Sequence, residues 1–290
     1  MVFVNIFKSK LVLVGIFYTK MVKHKNTIKP IIPNKGIELW YRKQLMKLID
    51  DMQHSAEYWL KAEYKKQLPE IAQDALPANE LYKEIRRLIK QWQKKFNNQS
   101  LGLAKKFVMQ TYKYTESAVS TAIKTMKKEK WKGDISAMTV EFKMTPKMKN
   151  VAQTFIHENV NLIRSIPEKY FAEVEGMVMR SVRDGRDLGN LTEELTKRYG
   201  ITKRRAILIA RDQNNKATSQ LNRTRMTEAG FTRAVWLHPS GVKEPRHSHE
   251  KANGKSFDLK KGCLIDGEYI FPGELINCHC RYETIIEDVL

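Results

Sequence analysis

Apolar residues that return every three or four positions constrain this chain more than any other feature. Tyr41, Leu45, Leu48, Met52 and Trp59 fall on one face of a helix. After the "LPANE" break come Leu81, Ile85, Leu88, Trp92 and Phe96, and a third stripe runs through Phe107, Val108, Val119, Ile123 and Met126. Pro146 suits a first helical turn, and Val151, Phe155, Leu162 and Ile163 carry that helix to a break at "SIPEKY". Tyr170, Phe171, Val174 and Val178 mark another. Helices striped in this way pack on one another, with Trp59 and Trp92 in their core. Between them "SAMTVEFKMTP", residues 136–146, alternates and predicts a brief strand. In "NLTEELTKRYG", Asn190 stands in capping position with Glu193 three residues on and Gly200 as the stop. A further helix runs from Thr202 to Gly230.

Beyond Gly230 the period changes. "FTRAVWLH", "KSFDL", "GEYIF" and "CHCRYETII" are short β-like runs separated by the turn chemistries "PSG", "NGK", "IDG" and "PGE". The fold class is therefore α+β: a large, mostly α-helical N-terminal body followed by a small C-terminal α+β module. The expected divisions are an apolar and basic arm over 1–37 that need not join the fold, a basic helical body over 38–200, and the module over 201–290. In the arm, Lys8 and Lys10 interrupt the apolar residues and leave a run too short to span a bilayer, with no small-x-small cleavage site, so no membrane is expected as a partner. Met21 offers an alternative start. Three cysteines make no disulfide framework and fit a reducing cytoplasm.

The charge points to a polyanion. Fifty-two Lys and Arg against 32 Asp and Glu give +20, and the 15 basic and 11 acidic residues of 201–290 leave +16 on residues 1–200. Candidate DNA contacts lie on helical runs read as poor in nearby acid: Lys83, Arg86, Arg87 and Lys90; Lys124, Lys127, Lys128 and Lys130; Lys203, Arg204 and Arg205. Solubilising faces, or faces that meet acidic protein surfaces, are the plainer alternatives.

Four runs then occur in order: "GMVMRSVRDGRDLGNLTEEL", "AILIARDQNNKATSQLNRTR", "AVWLHPSGVKEPRHSHEKANGKSFDLKKG" and "YIFPGELINCHCRYETI". In these the chain resembles the tailed-phage head morphogenesis family, the Mu F-like minor head proteins, from about Glu38 to the end and most specifically after Arg180. The motif positions carried over are Arg211, Asp212, Trp236, Arg246, His249, Gly254, Pro272, Gly273, Cys278 and Cys280. The resemblance implies a minor capsid protein of a phage or prophage, assembled in the bacterial host cytoplasm and housed in the virion interior, and the weakness of any catalytic motif makes the expected function non-enzymatic. Its implied partners are the portal protein, capsid or scaffold proteins, and nonspecifically bound double-stranded DNA. Two positions depart from the family pattern. Cys278-His279-Cys280 replaces Cys-Arg-Cys and loses a bidentate guanidinium, while Asn253-Gly254 replaces Asp-Gly and keeps the turn.

His249, Cys278 and Cys280 are residue types that hold zinc, and His247, His279 or Cys263 could add a fourth ligand. One residue between the cysteines argues the other way, because on a strand both thiols would share a face with little room to wrap a tetrahedral ion. The favoured reading is no cofactor, with buried thiols and His249 hydrogen-bonding across the module; zinc is the alternative. No HExxH, phosphate loop or dinucleotide fingerprint is present, and "RDGRDLG" reads as a turn between helices. A metal-dependent nuclease or hydrolase acting on nucleic acid is the alternative function. In "IARDQNNKAT", Arg211 with Gln213 or Asn214 is expected to pair with turns of the β module.

Overall fold

The computed structural model describes residues 26–66, 76–129, 143–183, 187–241 and 244–286. Four long helices form the body: α1 (Lys35–Lys66), α2 (Leu76–Glu129), α3 (Pro146–Arg183) and α4 (Leu188–Glu228). The expected stripes bury, but fewer breaks separate them. The second and third stripes belong to the single helix α2, which continues through Gly102, where a side chain would meet nothing. Helix α3 runs through Pro167 and so through "SIPEKY". That proline removes one backbone donor, and the burial of Ile163, Ile166, Tyr170 and Phe171 around it outweighs the loss.

Helix α4 likewise passes through Gly200, which is not a stop. Its N-cap is Asp187, not Asn190: the Asp187 carboxylate accepts from the Asn190 N–H at 3.0 Å. A mid-helix glycine costs about 1 kcal/mol relative to alanine. Leu191 and Leu195 before it, and Ala206, Ile209 and Ala210 after it, are buried in one core, so packing holds the helix across the glycine. Asn34 and Thr145 cap α1 and α3 by accepting from Ile37 N and Met148 N, each at 3.1 Å. The strand expected over 136–146 lies largely outside the described residues, and its last residue opens α3. Trp92 is buried and donates to Ser55, whereas Trp59 is 40% exposed and lies under the Arg87 guanidinium, not in the core.

The module carries β2 (Arg233–Leu237), α5 (His247–Ala252), β3 (Ser256–Asp258), β4 (Cys263–Ile265), β5 (Glu268–Ile270) and β6 (Arg281–Ile285). Its antiparallel sheet has the order β1-β6-β2-β3, where β1 is Thr27–Ile28. That placement corrects the boundary of the N-terminal arm: Thr27 pairs with Ile285, Ile28 and Ile31 are buried, and this stretch completes the sheet edge. β4 and β5 form a hairpin through Asp266-Gly267, both at positive φ as a two-residue turn requires.

Two cores result. The larger joins all four long helices; the smaller joins the sheet to Val119 and Ile123 of α2 and Met226 of α4. Helices α2 and α4 therefore serve both.

Candidate metal centre

The loop between β5 and β6 is held against α4 by polar contacts that begin in the sequence. The Asn277 N–H donates to Asp212 at 3.1 Å, and Arg211 donates to the Asn277 side-chain oxygen at 3.0 Å. Asn215 donates to the Cys278 carbonyl at 3.3 Å, Ser219 to the Pro272 carbonyl at 2.5 Å, and Arg246 to the Ile276 carbonyl at 2.9 Å. Asn277 itself takes φ 59°, tolerated by asparagine, which turns the chain into the cysteines. Gly273 lies at φ 81° with α4 directly behind it: a Cβ there would stand 3.3 Å from the Ser219 Cβ. Arg211, Asp212, Arg246, Pro272 and Gly273 thus meet around one loop.

The pairing expected for "IARDQNN" is correct only for Arg211. Gln213 turns into the body, accepting from Asn159 at 2.9 Å and donating to Glu158 at 2.6 Å, and Asn214 donates to the Asn34 carbonyl at 3.0 Å. Helix periodicity explains the split, since consecutive residues point about 100° apart and only every third or fourth shares a face.

The latched loop delivers Cys278 and Cys280 to His249. All three are buried, at 3%, 5% and 3% exposure, and their ligand atoms lie within 4.8 Å of one another. His249 Nδ1 is 3.5 Å from Cys278 Sγ and 3.6 Å from Cys280 Sγ. The cysteines do not sit on a strand, as their spacing suggested; they lie in the irregular stretch between the turn at Asn277 and β6, and both thiols still reach one imidazole. Trp236 packs edge-on against His249, ring centroids 5.2 Å apart. Among the described residues its buried indole N–H has no hydrogen-bond acceptor, while its position beside Cys280 favours the thiolate there. Gly254, at φ 82°, donates to the Trp236 carbonyl and closes the turn after α5.

The two thiols are driven apart. Hydrogen bonding from Cys280 holds Cys278 down to about 5 against the opposing effect of burial, helped by the backbone N–H groups of Cys280 and Gly273 and by His249. Cys280 is pushed up, first by its bond to Cys278 and then by burial.

None of the three suggested fourth ligands joins the cluster. His247 has its side chain 88% exposed and bonds Glu250 at 3.0 Å. His279 turns towards Asn215 at 3.4 Å, with burial and the nearby Arg211 lowering its pKa; Cys263 is buried on β4. The residue that sequence reading missed is His238, whose Nδ1 stands 3.4 Å from Cys280 Sγ. Its signal was its place at the end of "AVWLH", one residue beyond β2.

The basic residues are less free than their runs suggested. Lys83 pairs with Glu80 at 2.6 Å, Arg86 with Glu175 at 3.4 Å, Arg87 with Glu84 at 2.6 Å and Lys203 with Asp50 at 3.6 Å, and Arg205 donates to Ser165 at 2.9 Å. The reading of little nearby acid fails there because the partners come from the preceding turn or another helix. Lys90, Lys124 and Arg204 are exposed, and the side chains of Lys127, Lys128 and Lys130 lie outside the described residues.

Comparison with known proteins places the loop, the cluster and the last third of α3 in one family region. The chain is 27% identical over 265 residues to an uncharacterized protein of Haemophilus influenzae, covering 90% of this chain and 56% of that relative, so it spans about half the relative's length. No solved structure matches. Among the described residues no helix is long and apolar enough to cross a membrane. Residues 172–283 match the family described as Phage Mu protein F like protein, and the four runs that carry the resemblance lie within that region but for Thr284 and Ile285 at the end of the last.

Proposed function

We propose that the chain is a minor capsid protein of a tailed phage or prophage that associates with the portal and the inner head surface, contacts packaged DNA, and catalyses no reaction. The carrying observation is the Mu F-like match over residues 172–283. Within it the motif side chains are spent on structure: Arg211, Asp212 and Arg246 bond the loop before β6, and Trp236 and His249 pack against each other. The surplus of +20 supplies attraction to DNA, or to acidic surfaces of portal and shell. Deleting the gene in a producing phage or lysogen, then counting DNA-filled heads and probing purified virions for the tagged protein, tests the reading. Normal head yields together with absence from the particle would sink it. Cleavage of duplex DNA by purified protein with Mg²⁺ or Mn²⁺, lost on substitution of His249 or Cys280, would replace it with a nuclease.

A further inference from the structure

We propose that His249, Cys278 and Cys280, with His238 as fourth ligand, bind one zinc ion that fastens the end of β2, helix α5 and the loop before β6 to one another. The distances carry the assignment. Zinc with sulfur at about 2.3 Å and nitrogen at about 2.0–2.1 Å in tetrahedral geometry sets each sulfur–nitrogen edge at about 3.6 Å. The observed edges from His249 Nδ1 are 3.5 Å and 3.6 Å; His238 Nδ1 stands 3.4 Å from Cys280 but outside the group whose ligand atoms all lie within 4.8 Å of one another, so it joins the ion by a turn of its side chain.

Charge and donor type agree with this. Two thiolates neutralise a divalent ion, so the occupied centre adds no net charge to a pocket where an unpaired one would be costly. Thiolate and imidazole donors select zinc over magnesium or calcium. The buried, acceptor-less Trp236 N–H stands beside Cys280, where a metal-bound thiolate, richer in electron density than a thiol, provides the acceptor it lacks. The backbone at His238 is fixed by its N–H donating to the Asn253 side chain at 3.0 Å. The objection from cysteine spacing falls because both thiols, on the irregular stretch before β6, stand at ligand-edge distance from the one imidazole.

This assignment stands independently of any role in the head. The full chain, purified without a polyhistidine tag, is expected to carry one zinc by elemental analysis. Co²⁺ in its place should give tetrahedral d–d bands with thiolate charge transfer. His238→Gln should keep the wild-type circular dichroism and weaken zinc, in competition with a chromophoric chelator, by about tenfold or more. Cys280→Ser should weaken the charge-transfer band, leaving only the contribution of Cys278. Because that variant can also unfold the module, the wild-type chain gives a second readout: stripping with a chelator should lower its melting temperature, and zinc, but not magnesium, should restore it. A metal-free chain whose melting is indifferent to zinc, or a Cys278–Cys280 disulfide by mass, would overturn the site. Equal zinc affinity in His238→Gln and wild type would overturn the four-ligand set.

Discussion

Arg225 of α4 and Glu116 of α2 form a buried two-pronged ion pair, with guanidinium Nε and a terminal nitrogen 2.9 and 2.6 Å from the two carboxylate oxygens. Arg225 is 2% exposed and also donates to the Lys143 carbonyl and pairs with Glu228. The pair joins the two helices that serve both cores. Removing Glu116 leaves the buried guanidinium with Glu228 and a carbonyl as partners, so Glu116→Ala should lose about 3 kcal/mol by urea denaturation, the low end for a broken buried pair. The double variant Glu116→Leu with Arg225→Met should recover most of that loss. If the single variant is within 1 kcal/mol of wild type by the same measure, roughly the value of an exposed pair, the charges are hydrated and the buried reading fails.

Gly273 sets how closely the cysteine loop approaches α4. Gly273→Ala places a Cβ at positive φ and 3.3 Å from Ser219, and should cost about 1–2 kcal/mol from backbone handedness alone. Thermal melting measures it. Gly267→Ala is the control, since its φ is also positive but a Cβ there meets nothing; an equal loss in both would show that contact with α4 contributes nothing.

Asp258 gives a pH dependence with a definite sign. Its carboxylate accepts from the Lys261 and Lys260 backbone N–H groups at 2.8 and 2.6 Å, and these bonds hold its pKa below the ordinary carboxylate value. A depressed folded pKa contributes stability above the unfolded value, about 3.9, which is lost as pH falls through the folded value. Asp258→Asn should therefore flatten the acid side of the melting-temperature profile below about pH 4 while changing its slope little above. Parallel profiles for the two proteins would count against the assignment.

The electrostatic face can be tested residue by residue. If roughly six phosphates are neutralised, duplex affinity should fall with salt at a log–log slope of about −5. Charge reversal at Lys90, Lys124 or Arg204, which are exposed, should weaken binding more than reversal at Arg87, which is engaged by Glu84. The opposite ranking, or no binding at low salt, would take DNA off the list of partners.

Much of the fold could be read from periodicity because the stripes are long and the helices bury them almost completely. Boundaries were harder. Gly200 and Pro167 carry local signals for a stop, yet each lies inside a helix whose neighbouring residues are buried, and tertiary packing is invisible in a local window. Ile28 and Ile31 looked like part of a loose arm because their partner strand lies more than 250 residues away. At the Cys/His cluster the residue types were legible, but which histidine completes it was not. His247 and His279 are closer in sequence to other cluster members, and only the turn at Asn253 and the end of β2 bring His238 beside Cys280.

Helix α4, at 41 residues, is a rod about 60 Å long, and the two cores hang on its opposite ends. Such a spine makes force or unfolding at one end felt at the other, since neither core can loosen without fraying a helix the other depends on. It also sets where the molecule can be cut. A fragment beginning at Ile201 would start in mid-helix with Ala206, Ile209 and Ala210 stripped of their cover from the body. Excision at that point should therefore yield an aggregating piece unless the cut is moved upstream to take in the helices that shield that face.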